Sequence, residues 1–244
     1  MSDNQLTSYT VWDRMTRIFH WVNFFVLFAL LTVGLIIFNG SHFGFSAEGR
    51  VAIKALHVTL GYIFAVNLSI RIIWGFIGGK RARWSRIFPF SNGFIGELKT
   101  FIAGLRSGNE PKYLGHNPLG RIIISLMIIC MITMAATGLV IAGTDIYYPP
   151  FGQYIIDWIA IPGTPADAVT AANRDWVNMD AYKEMREFRK PILDTHIYGM
   201  YTLCTLMVLH IFFVIKNEVQ LGGGIISAMF TGKKVHSEEP VDKD

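Results

Sequence analysis

Cysteine and charge are both scarce in this 244-residue chain. Only Cys130 and Cys204 occur, each inside an apolar run. No CxxCH is present, which excludes covalent attachment of a haem through thioethers. Two separated thiols also cannot supply the cysteine set of an iron–sulfur cluster. Charged residues make up 16% of the chain, against about 25% in an average soluble protein. A charge deficit with long apolar runs points to a lipid environment. The net charge of +4 therefore reads as membrane topology rather than as a nucleic-acid footprint. No internal repeat is evident.

What the chain has in quantity is apolar sequence, 52% of it. Four stretches are long enough to span a bilayer, at about 18–38, 51–77, 119–142 and 195–215. Each is near the roughly 20 residues that a helix needs to cross ~30 Å of hydrocarbon. The first is too long for a signal-peptide core and has no small-residue cleavage site after it, so it is expected to be retained. The expected fold is an all-α, integral membrane four-helix bundle forming a single domain.

Basic residues give the orientation. The connection at 78–118 holds Lys80, Arg81, Arg83, Arg86, Lys99, Arg106 and Lys112, with Glu97 and Glu110 as its acids. It is expected to be cytoplasmic, together with both termini. The connection at 143–194 is acidic on balance and is expected to face the periplasm. Within the first connection, Phe94, Ile95, Leu98, Phe101, Ile102 and Leu105 recur at helical spacing. This predicts a helix lying on the membrane surface or packed against the bundle. Within the second, the charged stretch from Met179 to Lys190 reads as a helix of its own.

Seven histidines occur; His42, His116 and His236 fall in connections or the tail. The other four, His20, His57, His196 and His210, lie in apolar segments, where ionisable side chains are costly and usually functional. His196 and His210 are fourteen residues apart on one helix, roughly 21 Å along its axis and about 40° apart in direction. They present two imidazoles to the same side at two depths. Depth pairs His57 with His196 in the outer half, and His20 with His210 in the inner half. Each pair is placed to clamp a haem iron from both faces, which leaves no open position and suits electron transfer. The competing reading is interhelical hydrogen bonding or a proton relay. A single zinc ion is excluded, because its ligands must converge within ~2 Å of it.

The same spacing recurs. Gly34 lies fourteen residues beyond His20, at the outer depth, where a glycine lets a helix backbone approach a flat macrocycle; close helix packing is the alternative. Arg71 lies fourteen beyond His57, at the inner depth, where it can meet a haem propionate or extend to the interface. His116 is read as a loop residue, because Asn117 and Pro118 form the capped start of a helix.

Several segments resemble the bacterial cytochrome b561 family: VWDRMTRIFHW, LHVTLGY, RIIWGFIGGKRARW, YLGHNPLGR, THIYGMYTLCTLMVLH and MFTGKK. The resemblance covers nearly the whole chain. It extends to the cytochrome b subunits of nickel–iron hydrogenase, formate dehydrogenase and thiosulfate reductase. It implies two haem b groups held by His20, His57, His196 and His210, and electron exchange between the quinone pool and a redox partner. The setting it implies is the bacterial inner membrane. Asn23, Asn67, Trp74 and Arg71 are expected quinone contacts. The connection at 143–194 is longer than in compact members, which suits docking of a cytochrome c or oxidoreductase subunit, or a lid over the outer haem. Three hypotheses follow: a transmembrane electron conduit, a membrane-anchor subunit of a larger oxidoreductase, and a haem-free transporter or proton channel.

Overall fold

The structure, a computed structural model, describes residues 6–221, 224–236 and 239–243. Four helices are long and apolar enough to cross a membrane. They are α1 (Arg14–Phe38), α2 (Ala47–Ile77), α5 (Pro118–Ile146) and α7 (Met179–Leu221). Short helices fill the connections: α3 (Trp84–Ile87), α4 (Phe94–Ser107), α6 (Gly152–Ile159) and α8 (Ile225–Thr231). The chain groups into two compact units. A terminal unit takes residues up to 22, 68–129 and from 203 onward. A loop unit takes 23–67 and 130–202. Each long helix contributes a segment to either unit.

In the terminal unit, Asp13 caps α1. Its carboxylate accepts from Thr16 N–H at 2.8 Å, and also from the Trp74 indole N–H at 3.1 Å. An N-cap acid satisfies a backbone donor that the first helical turn leaves open. Trp84 lies across Gly75 so closely that a Cβ there would stand 2.1 Å from the indole. Its N–H reaches Ile72 O at 3.1 Å. On α4, Phe94 and Phe101 are buried, whereas Ile95 and Ile102 remain exposed. Asn117 caps α5, accepting from Gly120 N–H at 2.7 Å.

A two-stranded antiparallel ribbon joins the two ends of the chain, β1 (Thr7–Thr10) to β2 (Lys233–His236). The buried Lys234 ammonium donates to Leu114 O at 2.7 Å. Asp242 accepts from Leu114 and Gly115 N–H at 2.6 and 2.8 Å.

In the loop unit, the long connection builds its own small core from Ile155, Ile159, Val169, Val177, Tyr182 and Met185. The largest departure from the sequence expectation is here. The fourth long helix does not begin near Thr195; it begins at Met179 and runs through Pro191 without a break. Asn178 caps it, accepting from Asp180 and Ala181 N–H. Tyr182 and Met185 pack its first turns into the core. Arg189 pairs with Asp145 at 2.8 Å, while Asp145 also takes Lys54 at 2.6 Å. That anchoring carries the helix across a residue that lacks a backbone donor. The other long helices also begin before the apolar runs do, because their first turns are polar or capped.

Replacing Asp13 with alanine removes the cap and the acceptor for Trp74 together. A loss of about 1–2 kcal/mol is expected, seen as a lower Tm of the detergent-solubilised protein. An unchanged Tm would remove Asp13 from the account.

Candidate functional site

The structure distributes the four helical histidines as two pairs, one in each unit. In the loop unit, His57 on α2 and His196 on α7 face each other with ring centroids 6.5 Å apart and planes at 78°. In the terminal unit, His20 on α1 and His210 on α7 lie within electrostatic reach of each other. All four side chains are half-buried.

The loop-unit pair stands on two glycines. A Cβ on Gly34 would lie 3.2 Å from His57 Cε1, and a Cβ on Gly138 would lie 3.3 Å from His196 Cε1. Each imidazole thus rests against the bare backbone of another helix, Gly34 on α1 and Gly138 on α5. The His196 Nδ1 atom is 2.8 Å from Thr137 Oγ1. His57 Nδ1 and His20 Nδ1 are buried without a hydrogen-bond partner.

This arrangement fits a haem. An imidazole nitrogen about 2 Å from a metal places its ring centre about 3 Å away. Two rings facing across one iron then have centres about 6 Å apart. The observed 6.5 Å meets that requirement, and the angle between ring planes does not disturb it, since rotation about the ligand axis leaves the nitrogens in place. A direct hydrogen bond between the rings would bring their nitrogens to about 3 Å, and none is formed between them among the described residues. The two glycines leave the room that the imidazole rings themselves occupy.

The terminal unit also buries several cations. Arg71 is 4% exposed. Its Nη2 donates to Ala82 O at 3.0 Å, and its guanidinium lies 4.7 Å from the Trp84 ring centre. Its Nη1 is buried without a partner. The side chain therefore points into protein rather than out to the interface, and one donor is left for an anion. Arg121, also buried, donates to Phe88 O at 2.6 Å and meets Glu97 at 3.3 Å. His116 packs on Trp12 with ring centres 4.9 Å apart. Burial first, then Lys234, His210, Arg71 and Arg121, push its imidazole down to about 3.

Of the residues expected to contact a quinone, Asn67, Arg71 and Trp74 follow one another along one side of α2, and Trp74 donates to Asp13. The Asn23 amide is buried and donates to Met131 Sδ at 3.2 Å. Sequence reasoning missed Thr137 and Gly138, because α5 carries no histidine and the depth comparison was confined to helices that do. Extending it to α5 would have found a glycine at the outer depth.

Residues 11–232 match the family of prokaryotic cytochrome b561. The chain belongs to that family. It is accordingly a multi-pass membrane b-type cytochrome that transfers electrons. Similar chains include a "probable Ni/Fe-hydrogenase B-type cytochrome subunit" of Rhizobium leguminosarum, 26% identical over 93% of this chain and 89% of that one. A protein of the same description from Rhodobacter capsulatus is 23% identical over 97% and 85%. The "probable Ni/Fe-hydrogenase 1 B-type cytochrome subunit" of Escherichia coli K12 is 22% identical over 96% and 94%. Family membership brings haem b, and the His57–His196 geometry accepts it.

Two outcomes test the site. Leucine at Gly138 has to displace the His196 ring, costing about 1–3 kcal/mol by overpacking. Gly61→Ala, where nothing lies within 4 Å, is the control that leaves the melting temperature unchanged or slightly raised. Equal Tm values for Gly138→Leu and the parent would contradict the cradle. The second concerns His116. The unfolded chain takes up a proton as pH falls from about 6.5, while the folded chain refuses it down to about 3. Stability is therefore lost as pH falls through that window. Tm should drop between pH 7 and pH 4, and drop less in His116→Gln.

Proposed function

We propose that this cytochrome conducts electrons across the bacterial inner membrane through two bis-histidine haem b groups, between the quinone pool and a redox partner. His57 and His196 hold one group, and His20 and His210 the other. The observation that carries the reading is the 6.5 Å separation of the His57 and His196 rings, together with the glycine beside each ring. The terminal-unit pair is supported by the proximity of His20 and His210 and by the fourteen-residue repeat along α7.

When bound, each haem would supply a one-electron iron couple, and a pair of histidine ligands would suit electron transfer rather than oxygen binding. The residues of the chain would do the rest. Two imidazoles would hold each haem, His57 with His196 and His20 with His210. Gly34 and Gly138 give the His57 and His196 rings their room, and the apolar helix faces would exclude water. Arg71, held by Ala82 O and Trp84, would offer its remaining Nη1 donor to a propionate. Both termini and the basic connection at 78–118 are assigned to the cytoplasm by the positive-inside bias.

The partner is proposed to meet the loop unit, whose connection at 143–194 folds around its own apolar core. A nickel–iron hydrogenase is a specific candidate, because the similar chains carry that description along nearly their full length. In that second reading the chain also anchors the hydrogenase to the membrane.

The deciding measurement is a reduced-minus-oxidised spectrum with pyridine haemochrome quantification. Two haems b per chain are expected. His57→Ala and His196→Ala should each remove the same one of the two, and His20→Ala and His210→Ala the other. A folded His57→Ala protein without either haem would overturn the pairing. Co-purification with hydrogenase subunits separates the anchor role from the stand-alone conduit.

A further inference from the structure

The environment of His196 differs from that of its partner ligand in one respect. Its Nδ1 has a side-chain neighbour, Thr137 Oγ1 at 2.8 Å. His57 Nδ1 is buried without one. The direction of the bond to Thr137 follows from proton counting. The hydroxyl owns a single hydrogen. Thr137 Oγ1 also lies 2.7 Å from Thr133 O, one turn back on α5, and 3.3 Å from Met134 O. Carbonyl oxygens only accept, so the hydroxyl hydrogen goes to the helix backbone, the usual arrangement for a threonine inside a helix. What faces His196 is then a lone pair, and the imidazole must donate to it.

Donation from Nδ1–H settles the tautomer. The proton resides on Nδ1, and Nε2 carries the lone pair that a metal needs. The next residue on α5 assists: Gly138 leaves the space beside His196 Cε1 that any side chain would invade. Thr137 and Gly138 are thus adjacent residues of one turn, one tying the ring and the other making room for it.

We propose that Thr137 is a positioning residue for the loop-unit haem: it fixes the His196 ring and its tautomer, and lowers that haem's reduction potential. This rests on the bis-histidine reading above. A hydrogen bond accepted from the distal nitrogen raises the basicity of the ligating one. A more basic ligand stabilises the ferric state over the ferrous. His57, with no such bond, contributes no matching effect, so the potential of this haem answers to Thr137 alone among the side chains touching the ligands' Nδ1 atoms in the described residues.

The test is a potentiometric titration of the full-length purified protein, followed by absorbance, with electron paramagnetic resonance of the ferric haems as a second readout. Thr137→Val keeps the shape and removes the acceptor. Thr137→Ser keeps the acceptor. Valine should shift the reduction equilibrium of one haem about tenfold toward the reduced form, about 59 mV for one electron, and move that haem's ferric signal. The other haem should not move, and serine should match the parent. Loss of one haem in the valine variant with retention in the serine variant supports the same bond acting to hold the ligand. Unchanged potentials in a valine variant that carries both haems would overturn the proposal. So would equal shifts, or equal haem loss, in the two variants. A parent protein with fewer than two haems would instead sink the ligand pairing, and this inference with it.

Discussion

An imidazole set inside an apolar helix has to find a partner for its nitrogens. In hydrocarbon the cost of an unsatisfied polar group is several kcal/mol. Four histidines placed this way multiply the demand, and the protein answers it only in part. Thr137 takes one nitrogen of His196, but Nδ1 of His20 and of His57 is buried with no acceptor. The glycines have the same cause. Small residues on membrane helices usually allow close helix packing, as at Gly199, where a Cβ would stand 2.7 Å from the Met134 side chain. Gly34 and Gly138 instead face imidazoles, so the space they leave belongs to the His57 and His196 rings.

The two units differ in what they bury. Beside His57 and His196 stand Gly34, Gly138 and Thr137. The unit that holds His20 and His210 buries Arg71, Arg121 and Lys234. Backbone carbonyls of Ala82, Phe88 and Leu114 hold these cations in place. Carbonyls orient a cation without cancelling its charge, and the carboxylates acting on them are Glu97 on Arg121, Asp13 on Arg71, and Asp242 and Glu218 on Lys234. Burial, and after it these cations, hold the His116 imidazole well below its ordinary value, at about 3.

Much of this was legible in the sequence, for a physical reason. Lipid removes every option but a helix for a long apolar run, so the four spans declare themselves by length. The fourteen-residue interval returns nearly to the same helix face, so His196 with His210, and Gly34 beyond His20, could be read from spacing. The rest depended on contacts that spacing does not encode. The ribbon of Thr7–Thr10 with Lys233–His236 joins residues more than two hundred positions apart. Arg71 was read as either propionate partner or interfacial cation, and its burial against Trp84 could not be read from spacing. Thr137 and Gly138 sit on a helix without histidines and so left no mark. The start of α7 was misplaced because charge and Pro191 end an apolar run without ending a helix.

That last correction bears on function. α7 carries one histidine of each pair, and it does so on one continuous helix from Met179 to Leu221. A slide of one residue would turn both imidazoles by about 100° and move both by about 1.5 Å. Neither pair would survive it. A helix beginning at Thr195 would place His196 in its first, fraying turn, with nothing before it to resist such motion. The sixteen residues before Thr195 remove that freedom. Asn178 closes the first turn, Tyr182 and Met185 fill the core of the loop unit, and Arg189 is tied to Asp145 and Thr144 O. At the far end, Glu218 accepts from Ile225 N–H and binds the chain that follows to the helix it has just left. The long connection that looked like an appendage for a partner is therefore first an anchor for the ligands. Any partner that docks there meets a surface rigidly continuous with His196.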